Sequence, residues 1–239
     1  MSSGPAEFDE YSAGYAAGME NPVKALVGNS AEAFIAVKLR WLMHRFPEIR
    51  SVNSSFRMLD YGCGIGTFLR LMSAQTKATL MGCDISSGML QEAKRTWPDT
   101  LRPPEFHPQE GERTKLPDDH VDLITVSAVL HHVPPGDRPS VYREIHRILR
   151  PGGRVVVFEH NPLNPITRYV VARTPIDRNA VLLRATEVQA DLRRARFVDI
   201  HTGYLMFMPP RLTTLSALER LIGWLPFGAQ YATVAHRSS

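Results

Sequence analysis

Apolar and polar residues alternate along this chain in two periods, and the switches between them lay out a fold. From Phe8 to Phe46 the apolar positions recur at helical spacing, with a break near Asn21-Pro22. Ala33, Val37, Leu39, Trp41 and Leu42 form one stripe of that pattern. Further on, short apolar runs alternate with amphipathic ones. Phe56–Tyr61, Ala78–Asp84, Pro104–His107, Val121–Ser127 and Arg154–Glu159 read as strands. Thr67–Ala74, Ser87–Thr96, Asp137–Leu149 and Thr186–Arg196 read as helices, with Pro98 and Pro151-Gly152-Gly153 as stops. Thr186 and Gln189 have the spacing of a capping box. Phe197–Tyr204 and Gln230–Ala235 close the series as strands.

Strands alternating with helices predict an α/β fold with a mostly parallel sheet covered on both faces. The unbroken apolar run Val155–Phe158 fits a strand buried on both sides. In such sheets ligands bind beyond the carboxyl ends of the strands. Chemistry is therefore expected in the loops after Tyr61, Asp84, Ser127 and Glu159. Two stretches lie outside this plan. One is the N-terminal helical region, and the other is 205–229, where Leu212, Leu215, Leu218, Leu221 and Ile222 predict an amphipathic helix. Both are expected to fold over the strand ends as lids.

Composition narrows the class. At 239 residues the chain is one large domain, long enough to bury a core without disulfides or metals. Hydrophobic residues at 44% and charged residues at 22% exclude wholesale disorder. No apolar run approaches the roughly 18 residues a membrane span needs. No basic stretch followed by an apolar one opens the chain, so a cytoplasmic location without a membrane partner is expected. The two cysteines, Cys63 and Cys83, are expected to be small buried apolar residues. The net charge is +4, but it is spread among scattered arginines. Its densest cluster, Arg193, Arg194 and Arg196, fits the solvated face of a helix, so no nucleic-acid partner is expected.

The segment Asp60-Tyr61-Gly62-Cys63-Gly64-Ile65-Gly66 follows a strand and opens a helix. Dinucleotide sites use Gly-x-Gly-x-x-Gly to seat a pyrophosphate on a helix N-terminus. Here the spacing is Gly-x-Gly-x-Gly, with Asp60 two residues ahead. A carboxylate there repels a pyrophosphate and suits a cationic ligand. Asp84 ends the next strand, where a carboxylate can accept hydrogen bonds from both hydroxyls of a ribose. A cation joined to a nucleoside points to S-adenosylmethionine.

Four segments together resemble the class I S-adenosylmethionine-dependent methyltransferases. They are Leu59 to Gly66, Met81 to Ser86, Leu116-Pro117 through Val121 to Ile124, and Leu149 to Arg154. Within that family the sequence is similar to the small-molecule type, including ubiquinone/menaquinone and natural-product methyltransferases. The resemblance implies a Rossmann-like, seven-stranded, mostly parallel sheet with helices on both faces. It implies an N-terminal helical lid over residues 1–54 and a methyltransferase domain over 55–239, with a cap insertion at about 205–229. It also implies S-adenosyl-L-methionine as cofactor and S-adenosyl-L-homocysteine as product. Asp60 then orients the methionine part, and Gly62, Cys63, Gly64 and Gly66 lie against the cofactor. Asp84 holds the ribose, Ile85 packs on adenine, and Glu112 reaches the adenine amino group. Ser127 and Ala128 line the methionine side, and Tyr11 and Tyr15 close over the cofactor.

Methyl transfer is an in-line displacement at an activated carbon, so much of the catalysis is positioning. A base is needed only where the nucleophile must lose a proton, and histidine is the usual choice near neutral pH. The expected strand ends supply His131, His132 and His160. Each also reads as a structural histidine. Glu159-His160-Asn161-Pro162-Leu163-Asn164-Pro165 reads as a rigid turn beside the site. A catalytic metal needs three ligands, and Glu159 with His160 does not supply them, so no metal is expected. Methionines 206 and 208 with Phe207, Pro209 and Pro210 are candidates to line an apolar acceptor pocket.

The expected activity is methyl transfer to a small, partly apolar metabolite. Amine methyltransferases of nucleic acids resemble an Asn/Asp-Pro-Pro-aromatic motif where this chain has Ser127 to His132, which speaks against that substrate. The alternative is a protein of the same fold with a non-methylating role, as a cyclase or a cofactor-binding regulator.

Overall fold

The computed structural model describes residues 31–208, Glu219 and 221–238. Tyr11, Tyr15, most of the N-terminal lid segment, and Pro209, Pro210, Leu212, Leu215 and Leu218 lie outside the described residues.

Helix α1 (Ala31–Arg45) comes first, and then β1 (Arg57–Tyr61), α2 (Thr67–Ser73), β2 (Thr79–Asp84) and α3 (Ser87–Arg95). Next are β3 (Glu105–Glu110), β4 (Arg113–Thr114), β5 (Val121–Ser127), α4 (Arg138–Ile148) and β6 (Leu149–His160). The chain continues through α5 (Pro165–Val171), α6 (Ala185–Arg194), β7 (Phe197–Leu205) and β8 (Gln230–Arg237). One sheet runs β4-β3-β2-β1-β5-β6-β8-β7. Strands β3, β2, β1, β5 and β6 pair parallel. Strand β8 inserts antiparallel between β6 and β7.

The sheet has eight strands where seven were expected. The extra one is the two-residue β4, which folds back on β3 through Gly111 at φ 62°. A left-handed residue at that turn suits glycine. The Pro151-Gly152-Gly153 stop lies inside β6, where the register with β5 shifts between Val121 and Leu123. Two further corrections concern helices. The stretch expected only to turn goes straight into α5, because the Asn164 side chain caps it by accepting from the Thr167 N–H at 3.0 Å. The capping of α6 comes not from Thr186 and Gln189 but from Glu187, whose carboxylate accepts the Arg184 N–H at 2.6 Å. Gln189 instead donates to Thr202 on β7.

Strand periodicity splits the core in two. Met58, Leu80, Leu123, Val156 and Phe158 face α1 and α2, where Leu42, Met43, Phe46, Phe68 and Met72 meet them. Leu59, Met81, Ile124, Val155 and Val157 face the other way, onto Val141, Ile145, Val188 and Leu192 of α4 and α6. Helix α1 is thus part of the packed core as well as a bearer of cavity residues. The parallel registers bring Tyr61, Asp84, Ser127 and His160 to one edge of the sheet.

Gly82, within β2, is a tight point beneath that edge. A Cβ there would lie 2.7 Å from Leu69 Cδ1 and 2.8 Å from Cys63 Sγ. Gly82→Ala is expected to lower stability by about 1–3 kcal/mol, the cost of overpacking a dense core. Urea unfolding checks this, and an unchanged midpoint would show that Leu69 and Cys63 have room to yield.

Candidate functional site

A cavity of about 430 Å³ opens at the carboxyl edge of the parallel strands. That volume is within the ordinary range for small-molecule sites. Its wall includes Gly62, Gly64, Asp84, Ile85, Glu112, Ser127, Ala128, His131, His132 and His160. Most of the site residues expected from sequence therefore converge here. Asp60, Cys63 and Gly66 are not part of the wall; Asp60 and Cys63 are buried.

The glycine loop is built from β1 outward. Gly62, Gly64 and Gly66 all have positive φ, between 52° and 75°. The Gly62 and Cys63 N–H groups both donate to the Cys83 carbonyl, at 2.8 and 2.9 Å. Asp84 fastens the loop from β2. Its carboxylate accepts the Gly64 N–H at 2.7 Å and the Ser86 N–H at 2.9 Å. Ser86 in turn caps α3 by accepting the Met89 N–H. Ile85, beside Asp84, is 48% exposed on the cavity wall, an apolar surface that a flat ring would cover. Across the wall Glu112 sits in the β3–β4 turn, and its carbonyl accepts the Tyr61 hydroxyl.

Asp60 accepts the Thr125 hydroxyl at 2.7 Å. Burial pushes its carboxyl up to about 7, against the Thr125 bond and the nearby Lys38 charge, which lower it; Asp84 adds to the rise. Lys38 was not singled out in the sequence. It is buried, reaches from α1 to the cavity wall, and donates to Ser127 Oγ at 2.9 Å. A lysine within an apolar helical stripe reads as a surface residue, and only the packing of α1 places it here.

The histidines form a polar cluster at the other side of the cavity. Glu159, at the end of β6, is fully buried. It accepts the N–H groups of Val129 and Leu130 on Oε1, at 3.1 and 2.7 Å, and meets His131 Nδ1 on Oε2 at 2.6 Å. Arg138, also buried, donates to the Leu130 and Val133 carbonyls and to Val181. His131 stands 4.1 Å from His132 and 5.1 Å from His160, ring centre to ring centre. Asp177, which the sequence reading missed, brings a carboxylate oxygen to 3.6 Å from His131 Nε2 and 3.5 Å from His132 Nε2.

Burial alone would lower His131, but Glu159 and Asp177 outweigh it and raise its pKa. The same contact, against burial, holds Glu159 below the usual carboxylate range. Burial, reinforced by the His131 charge, pulls His132 down to about 4 and His160 to about 3. Both are therefore neutral at pH 7. Cys63 and Cys83 are free thiols that burial pushes well above their ordinary value, so they are inert.

Much of the remaining wall is apolar. Phe34 and Ile35 of α1, Ile166, Val170 and Val171 of α5, and Met206 line it. Phe207 and Met208 do not line it, although Met208 donates its N–H to Glu219. Among the described residues no helix is long and apolar enough to cross a membrane.

Comparison with known proteins agrees with this geometry. Residues 59–157 match a family model described as a methyltransferase domain. A 2-phytyl-1,4-naphtoquinone methyltransferase of Synechococcus elongatus is 33% identical over 117 residues, 47% of this chain and 49% of that protein. A demethylmenaquinone methyltransferase of Streptomyces avermitilis is 34% identical over 134 residues, 52% of this chain and 54% of its own length. This chain thus spans about half the length of the curated relatives it matches. A SAM-dependent methyltransferase from Archaeoglobus fulgidus superposes with a TM-score of 0.63 at 18% identity, covering 90% of this chain and 98% of that one. Over residues 59–157 the chain is thus similar to a methyltransferase domain, and its fold is that of the Archaeoglobus fulgidus protein.

Proposed function

We propose that the protein transfers the methyl group of S-adenosyl-L-methionine to a small, partly apolar metabolite. The observation that carries this reading is the pairing of Asp84 with the glycine loop beside the exposed Ile85. A nucleoside fits there, with its ribose on the carboxylate, its base on Ile85, and Glu112 at the base's edge. The amino-acid end of the cofactor then runs toward Asp60, Ser127 and Lys38. The first of these favours its cationic groups and the last its carboxylate. Tyr11 and Tyr15 belong to the same proposal as covers over the bound cofactor.

The acceptor occupies the side lined by α5 and the histidines. Apolar residues from α1, α5 and Met206 favour a partly apolar molecule, in keeping with the quinone names of the two curated relatives. Displacement moves a methyl cation from sulfur to the acceptor, and the acceptor's proton must leave. His132 and His160, held neutral beside the cavity, are in the state that accepts it. His131 positions them through Glu159 and Asp177. The reading is tested by incubating the protein with S-adenosylmethionine and naphthoquinol acceptors and measuring S-adenosylhomocysteine. Cofactor binding without any acceptor-dependent release of that product would reject methyl transfer in favour of a binding or cyclising role.

Lys38 gives a sharper test of the cofactor's orientation. Lys38→Met should weaken S-adenosylmethionine binding by about tenfold or more, the scale of a hydrogen bond to a charged group. Binding of the decarboxylated analogue should stay within about threefold of the parent, since the lost partner is the carboxylate. Equal losses for both ligands would place the carboxylate elsewhere.

Asp60 predicts a pH dependence. Its pKa in the folded chain lies above the ordinary carboxylate value, so the neutral form prevails below about 7. Lys38 on α1 and Asp84 on β2 are the charges acting on it. A cationic ligand favours the anion, so affinity should fall as pH drops below 7, by up to about tenfold per pH unit. Calorimetric titrations between pH 5 and 8 check this, with Asp60→Asn as a control whose affinity should be weaker and flat. A flat parent profile would separate Asp60 from the ligand's charge.

A further inference from the structure

We propose that His131, His132 and Asp177 form a binding site for a divalent transition-metal ion, zinc foremost. The ligand atoms of these three residues lie within 4.8 Å of one another. Asp177 Oδ1 is 3.6 Å from His131 Nε2 and 3.5 Å from His132 Nε2. The first of these is longer than a hydrogen bond. Both match the edge of a tetrahedral zinc shell, in which atoms bonded at about 2.1 Å lie about 3.4 Å apart. Two of the three separations around an ion are therefore already of the right length, and the third, between the two ring nitrogens, is within 4.8 Å.

His131 supplies the independent indication. It is 1% exposed, and among the described residues its Nε2 has no hydrogen-bond partner. A buried ring nitrogen of this kind is costly unless something occupies it. The other nitrogen, Nδ1, is committed to Glu159 at 2.6 Å. An entering ion displaces the Nε2 proton of His131 to water; with the remaining proton on Nδ1, the Nε2 lone pair points where Asp177 and His132 converge. A carboxylate behind a ligating histidine is the usual way to fix its tautomer and raise its basicity. Glu159 cannot swing away, because its second oxygen holds the Val129 and Leu130 N–H groups.

The donor set decides the ion. Two imidazoles and one carboxylate suit zinc and its neighbours, not magnesium or calcium, which take oxygen ligands. Three protein ligands leave one position open, and all three residues line the cavity. The open position faces the acceptor side. Under the methyl-transfer reading, on which this role rests, an acceptor hydroxyl binds the ion there and releases its proton to water. The oxygen lone pair then forms the bond to the methyl carbon as the carbon–sulfur bond breaks, its electron pair remaining on sulfur. In that state His132 is a ligand and not a proton acceptor. The binding of the ion itself does not depend on methyl transfer.

The test uses the full chain, stripped with a chelator, dialysed, and titrated with zinc chloride by calorimetry. Cobalt loading provides a second readout, the visible bands of a tetrahedral ion. We expect one zinc per chain and tetrahedral cobalt bands. His132→Gln and Asp177→Asn should each lower zinc affinity by about tenfold or more, and Glu159→Gln by about 10–100-fold through His131. His201→Gln, at an exposed position of β7, should change neither readout. His132 lies at the cavity surface, so its variant carries the decision if the buried ones fail to fold. Absence of stoichiometric zinc, or equal affinity in the parent and His132→Gln, would overturn the site. Zinc binding without homocysteine-product formation would leave the site standing and reject the methyl-transfer reading. Methyl transfer by a chain that binds no zinc would do the reverse.

Discussion

The buried carboxylate of Glu159 is the constraint on which the reactive side of this molecule depends. An ionised carboxylate taken out of water costs several kcal/mol unless its lone pairs are filled. Here two backbone N–H groups and one imidazole fill them. The same three bonds shape the turn after β5. Val129 and Leu130 are drawn under the end of β6, and Ala128 is held at φ 60°, a left-handed conformation that an alanine does not take unforced. Arg138 grips the turn from α4 through the carbonyls that Glu159 leaves. The turn's shape is thus set by two charged groups that the core has closed over. His131 and His132 inherit their positions from it.

The cofactor side uses the same device with a different carboxylate. Asp84 accepts one N–H from the glycine loop and one from the start of α3, so β1 and β2 present their loops as a single surface. The glycines make that surface possible by their positive φ, and Gly62 does so under further pressure. A Cβ there would come within 2.5 Å of Val129 on the turn that Glu159 holds. The two halves of the site meet at this contact. A side chain at 62 would displace both the glycine loop and the turn after β5.

Much of this was legible in the sequence, because the strands and the glycine loop are set by local pattern. Val155–Phe158 is apolar at every position and lies in the doubly covered β6, while Asp60, Gly62 and Asp84 are spaced along consecutive elements. What was missed depends on packing at a distance. Lys38 is an ordinary charged residue until α1 turns it inward. Asp177 sits in a short 3-10 turn, Pro175–Asp177, that no periodicity marks, and nothing local ties it to residues near 131. Helix α5 escaped because seven residues behind two Asn-Pro steps carry too few turns for a helical period to register. The Thr186 cap failed for a different reason. The helix begins earlier than expected, with Arg184 at its N-cap, so that Glu187 and not Gln189 stands where a side chain accepts the cap N–H.

The distribution of charge around the cavity argues for a division of labour. Asp84 and Lys38 line one end with opposite signs, and the buried Asp60 lies within reach of both charges, which suits a ligand that carries both an ammonium and a carboxylate. The other end holds three histidines among Glu159 and Asp177. The rest of the wall includes the apolar Ile85, Ile166 and Val170. The fold thus brings the Asp84 and Lys38 charges and the histidine–carboxylate cluster to the wall of one cavity. In-line transfer across a gap requires that arrangement more than it requires any single catalytic side chain.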